Sequence, residues 1–173
     1  MTGVELAARG AFRQRSTAWL AGYAALGAAA AAAGARIDRG TLDDNRGQTI
    51  AGLVLAMAGY PLGRALLRDR LDAAPTEPAL LEAVAIAGVV APAEELVWGQ
   101  LVEPELGLAP TAALFGLKHT LVDGRWRRTL GLALSWYGLG LVRRASPLAA
   151  LGLHVGSNAT GVVMGRVTGQ DQF

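Results

Sequence analysis

Six apolar runs divide this chain of 173 residues, and its charged residues collect in the connections between them. That segmentation constrains the fold more than any single motif. The runs cover about 18–34, 48–67, 79–102, 109–122, 129–142 and 147–167. The charges gather at 36–46, 64–77, 123–128 and 143–144. Apolar and polar residues do not alternate with period two inside the runs, and Ala, Leu and Gly outnumber β-branched residues there, so the runs read as helices rather than strands. Charged residues make up 17% of the chain, against about 25% in an ordinary soluble domain. The reading is all-α: an integral membrane bundle of about six transmembrane or partly re-entrant helices. A spanning helix needs about 20 residues. The fourth and fifth runs are shorter and require tilt, snorkelling ends or a re-entrant path.

Arg9, Arg13 and Arg15 precede the first run as they would in a signal peptide, with cleavage inside 28–35 as the lesser alternative. The run is longer than a usual signal segment and others follow it, so a first transmembrane helix is the better reading. If all six runs cross, ten arginines fall on the side of both termini and five on the other. That asymmetry places the termini in the cytoplasm of a multi-pass plasma-membrane protein, with membrane lipids as its surroundings. A net charge of +2 supplies no concentrated basic face, which excludes nucleic acid as a partner. The chain has no cysteine, so disulfides, thiolate metal sites and a cysteine nucleophile are excluded. In the last run, Gly152, Gly156 and Thr160 share one face and Gly161 and Gly165 follow, a small-residue pattern that predicts a close helix contact there.

Polar groups inside the apolar runs are costly unless partnered, and three of the runs carry them. Glu94 and Glu95 follow Pro92 in the third run. Adjacent residues on a helix point about 100° apart, so only one of these carboxylates is expected to face a given point. The bland alternative ends the helix near Ala93 and leaves both in interfacial water. Phe115 and His119 lie one turn apart in the fourth run. Lys118 beside them reads as the approach to the headgroups, and a lone histidine on such a face is ordinarily a hydrogen-bonded core residue. His154 and Asn158 are paired in the same way in the sixth run, either as an interhelical polar clamp or as donors to an oxyanion. Together, the three spots account for one another if their helices converge on one site.

The order Glu-Glu, Phe-x-x-x-His, His-x-x-x-Asn on successive apolar helices resembles the CPBP family of intramembrane proteases. These are relatives of CAAX prenyl endopeptidase, of lysostaphin resistance protein A and of abortive-infection proteins. The resemblance covers about 78–165, leaving 1–77 as N-terminal helices of one membrane domain, and 138–158 is most like the family's last motif. It implies an endopeptidase acting on a membrane-associated peptide or protein. Glu94 would activate water with help from His119. His154 and Asn158 would hold the oxyanion, Glu95 would tune the site, and Phe115 and Trp98 would shape it. Cofactors are either none or a divalent metal such as zinc. Glu94, His119 and His154 match an open zinc shell, but the contiguous His-Glu-x-x-His helix is missing and the metal-free mechanism is preferred. One departure stands out: the family's Glu-Glu-x-x-x-Arg has Gly99 in place of the arginine. Glu95 is then protonated, pairs with another arginine, or belongs to a weakened site. A catalytically weakened member acting as a membrane immunity or regulatory protein is the first rival. A structural bundle or small transporter, with the same groups as clamps or a proton path, is the second.

Overall fold

A computed structural model describes residues 16–37, 46–70 and 80–170. The basic stretch before residue 16, most of the 36–46 connection and the 72–78 connection lie outside them. Every regular element among the described residues is helical. Helix α1 is Ser16–Ala32 and α2 is Arg46–Leu66. Helix α3, Leu80–Glu94, runs without a break into a π-helical segment, Glu95–Val102, and a last α-helical turn, α4, Glu103–Leu106. Helix α5 is Leu108–Asp123, α6 is Thr129–Ala145 and α7 is Pro147–Thr168. The six apolar runs thus correspond to six rods, and the third is longer than its apolar stretch because α4 extends it.

Local chemistry sets the corners. Gly124 closes α5 in the left-handed conformation at φ 73°, which a residue with a Cβ adopts only with strain. Ser146 caps α7 by accepting a hydrogen bond from the Ala149 amide at 3.2 Å. Pro147 then fills the first helical position, where no amide donor is needed.

The tightest contact joins α2 to α6. Gly52, Gly59 and Gly63 of α2 face Gly138, Ser135 and Gly131 of α6. A Cβ built on Gly59 would come within 2.8 Å of the Ser135 amide nitrogen, and one on Gly63 would run into the backbone of Gly131. The hydroxyl of Ser135 donates to the Ala56 carbonyl at 2.8 Å across the same seam. Close backbone approach lets dispersion and short polar contacts hold two helices together. The expected small-residue contact on α7 is missing from its first half, although Gly165 further along is buried. A Cβ on Gly152 or Gly156 would meet nothing within 4 Å, so that stripe faces outward. In a chain so rich in small residues, the pattern alone does not select the stripe that is covered.

At one end, Asp69 just beyond α2 accepts from Arg64 Nε at 2.7 Å, with Arg125 Nη2 3.9 Å away. Arg128 donates to the Tyr60 hydroxyl at 3.1 Å. The connection after α2 and the one before α6 are therefore at the same end of the bundle. At the centre, Ala56, Trp98, Ala112, Phe115, Trp136 and Leu139 form the core. Outward faces are apolar as well: Ile50, Val54 and Met57 on α2, Leu117 and Leu121 on α5, and Val167 on α7 are all exposed. Two helical stretches, Arg46–Leu66 and Ala83–Leu106, are long and apolar enough to cross a membrane, and Leu20–Ala32 is a shorter apolar helix.

Candidate active site

Glu94 and Glu95 are 2% and 1% exposed, so the helix does not end in interfacial water at Ala93. Pro92 lies within α3, and the backbone changes from α to π at Glu95. A π turn bonds each amide one residue further along than an α turn does and recurs at functional sites. Both carboxylates reach the same imidazole, against the expectation that only one would. The reason is the shape of the ring, whose two nitrogens lie on different edges. His154 Nδ1 is 3.0 Å from Glu95 Oε1, and Nε2 is 3.5 Å from Glu94 Oε2.

Helix α5 brings the second group. Lys118 is 3% exposed, and its ammonium donates to Glu94 Oε1 at 2.6 Å. It lies over the rings of Phe115 and Trp98, at 4.7 and 5.6 Å from their centroids, where a cation is favoured. The expectation of a headgroup-facing lysine is therefore overturned: partnership with a buried carboxylate outweighs the pull of the helix end. His119, half-buried, directs Nε2 towards the same oxygen at 3.9 Å, a gap of the kind a single water spans. From α1, the Tyr23 hydroxyl reaches Glu94 Oε1 at 3.5 Å.

Helix α6 supplies a third group from a position that reads as a connection. Arg143 is buried inside the last turns of α6, not in a loop. Its Nε donates to Glu95 Oε2 at 2.8 Å, Nη1 donates to Glu103 Oε2, and the guanidinium lies 4.8 Å above the Trp136 ring. Of the three fates open to a Glu95 without its motif arginine, pairing with another arginine is the one observed.

Phe115 stacks on Trp136 at 3.9 Å between ring centroids. It also meets Trp98 at 5.9 Å, His119 at 5.1 Å and His154 at 6.5 Å, edge to face. The two residues expected to shape the site thus form its wall. Asn158, one turn beyond His154, is half-buried and makes no hydrogen bond to the cluster among the described residues. The convergence therefore includes Glu94, Glu95, His119 and His154, with Phe115 and Trp98 around them, and leaves Asn158 aside.

Lys118, Arg143, Glu103, Tyr23 and Trp136 were not legible as site residues. Lys118 offered the one usable signal. It is the sole lysine beside fifteen arginines, set in an apolar run next to a histidine. A divalent metal does not fit the residues present. Among the described residues no three His, Cys, Asp or Glu side chains form a group able to hold one. An ammonium already sits on Glu94 Oε1, and His119 and His154 approach different oxygens of that carboxylate.

What fold and site define together is a helical bundle with a buried cluster of carboxylates, imidazoles and two cations at its centre. Compared with family models, with curated proteins and with solved structures, the chain matches none.

Proposed function

We propose that the protein is a multi-pass membrane endopeptidase of the CPBP type, with Glu94 as the base that activates water. The observation that carries this reading is the convergence of Glu94, Glu95, His119 and His154, from α3, the π segment, α5 and α7, on one buried point. Two further features support it. Three carboxylates (Glu94, Glu95 and Glu103) share two cations (Lys118 and Arg143), so the cations leave one carboxylate charge unmatched. Arg143 Nη2 and the indole N–H groups of Trp98 and Trp136 are also buried with no acceptor among the described residues. Buried donors lacking acceptors are destabilising by about 1–3 kcal/mol each, and an incoming peptide carbonyl would relieve that cost.

The membrane setting rests on the inverted polarity of the bundle. Large apolar side chains face outward, Met57 at 67% exposure among them, while the ionisable groups are inside. Soluble monomers rarely expose contiguous apolar faces of this kind. With the buried Arg64, Arg128 and Arg143 left out, the arginine count is eight against four, the same two-to-one balance that favours cytoplasmic termini in the six-span reading.

In this mechanism Glu94 removes a proton from a water held between its carboxylate and His119. The resulting hydroxide attacks the scissile carbonyl. Glu95 holds His154 by Nδ1, so that Nε2, 3.5 Å from Glu94 Oε2, takes from Glu94 the proton removed from water and passes it to the leaving amine. A bundle that binds a membrane partner without cleaving it is the second reading. The Lys118–Glu94 pair favours it, because an ammonium on the base must be displaced or shared before the base acts.

The deciding experiment reconstitutes the full chain in liposomes with a membrane-protein extract and sequences the new termini by mass spectrometry. Cleavage should fall about 10²–10⁴-fold in Glu94→Gln, the range for loss of a general base. His119→Ala and His154→Ala should lower it as well. Undiminished cleavage by Glu94→Gln sinks the assignment.

A further inference from the structure

We infer that Arg143 is the positioning residue that fixes the proton on His154 through Glu95, and that Gly99 is glycine because Arg143 passes through the space its side chain would fill. The inference rests on the proposed catalytic site for its effect on turnover, and on geometry alone for the rest. Gly99 lies one turn beyond Glu95 on the same continuous helix, where a side chain would ordinarily reach back towards the carboxylate. A Cβ built there would be 2.6 Å from Arg143 Nε, 2.9 Å from Cζ and 3.2 Å from Cδ. An arginine at 99 would therefore displace the Arg143 guanidinium from its present position, and the chain carries the arginine that arrives from α6.

The guanidinium is held on three sides. Nε donates to Glu95 Oε2 at 2.8 Å, Nη1 donates to Glu103 Oε2, and the Trp136 ring lies against its face. A planar fork of donors suits two carboxylates at once, which a lysine ammonium would not match. With Oε2 of Glu95 accepting from Arg143, Oε1 is presented as an acceptor to His154 Nδ1 at 3.0 Å. The proton then resides on Nδ1, and Nε2 is left facing Glu94 Oε2 at 3.5 Å. A carboxylate that selects a histidine tautomer and is itself held by a second group is a known way to orient a working imidazole. Here the outer group comes from a different helix, so α6 sets the proton position on α7 through a residue of the π segment.

The test uses the full chain in lipid nanodiscs with ¹⁵N-labelled histidine. Only two histidines contribute ring-nitrogen signals, and His119→Gln assigns them. Native His154 should show the Nδ1–H tautomer. Arg143→Ala should shift it to mostly Nε2–H, and Gly99→Arg should do the same by displacing the native guanidinium. The double variant Gly99→Arg/Arg143→Ala, in which an arginine reaches Glu95 from its own helix, should restore Nδ1–H. Where Arg143→Ala does not accumulate, Arg143→Met fills similar volume without charge and carries the same expectation. Retention of Nδ1–H without Arg143, or a double variant no nearer to native than the singles, overturns the inference. Recovery of the tautomer in a protein that cleaves nothing upholds the positioning and sinks only the protease reading.

Discussion

The seam between α2 and α6 and the polar cluster between α3, α5, α6 and α7 are both buried helix contacts, yet they are built on opposite principles. The seam is made by leaving side chains out: Gly52, Gly59 and Gly63 meet Gly131, Ser135 and Gly138 backbone to backbone. In the cluster, long side chains fill the space, with Glu94, Glu95, Lys118, Arg143 and His154 reaching across from separate helices. The seam has little chemistry and little freedom to move. The cluster is held by charge and hydrogen bonds between side chains of separate helices. Helix α6 belongs to both, presenting Gly138 to α2 and Arg143 to Glu95. The glycine contact therefore sets the position of the polar one.

Three substitutions probe this contrast. Gly138→Leu should have the largest effect. Its side chain would enter the backbone of Ala56, and with no flexible neighbour to yield, the cost should exceed the usual 1–3 kcal/mol of overpacking. The expected outcome is failure to assemble, read as loss of a cooperative thermal transition in detergent. Lys118→Met should come next, at about 3–5 kcal/mol, because it strands a buried carboxylate. Adding Glu94→Gln to it should recover much of that loss in the same melting assay. Additive losses in the double variant would show that Lys118 and Glu94 are not energetically paired. Gly152→Leu should be nearly silent, within about 0.5 kcal/mol, because its face is open. A large loss there would show that α7 is covered by something beyond this chain.

Much of the architecture was legible because apolar runs broken by charges leave few alternatives. The limits of α5 and α7 fall within a residue or two of the runs 109–122 and 147–167. The convergence of Glu94, Glu95, His119 and His154 was legible too, since four ionisable groups in apolar runs need one another. Their partners were not. Arg143 sits beside Arg144 at the end of an apolar run, and nothing local distinguishes an arginine that turns inward from one that faces solvent. Lys118 was misplaced for a related reason, since proximity to a helix end is a local cue and its carboxylate is 24 residues away. The π segment had no signature beyond Pro92. The small-residue stripe on α7 resembled the real seam closely enough that only packing separates them.

The π segment carries one further implication, concerning lineage rather than chemistry. Glu95–Val102 holds its residues in wider turns than an α-helix does, so the stretch is a surplus of chain length as much as a conformation. Loss of one residue from it would be absorbed as the wider turns tighten to α, leaving Glu103 near its present bearing while the residues between, Gly99 among them, take new directions. Every glutamate and histidine of the cluster would still be present in such a sequence, yet the gap through which Arg143 passes would no longer face it. Among descendants of an ancestral form, insertions and deletions in these eight residues would then record gain and loss of the site more faithfully than the identities of its glutamates and histidines.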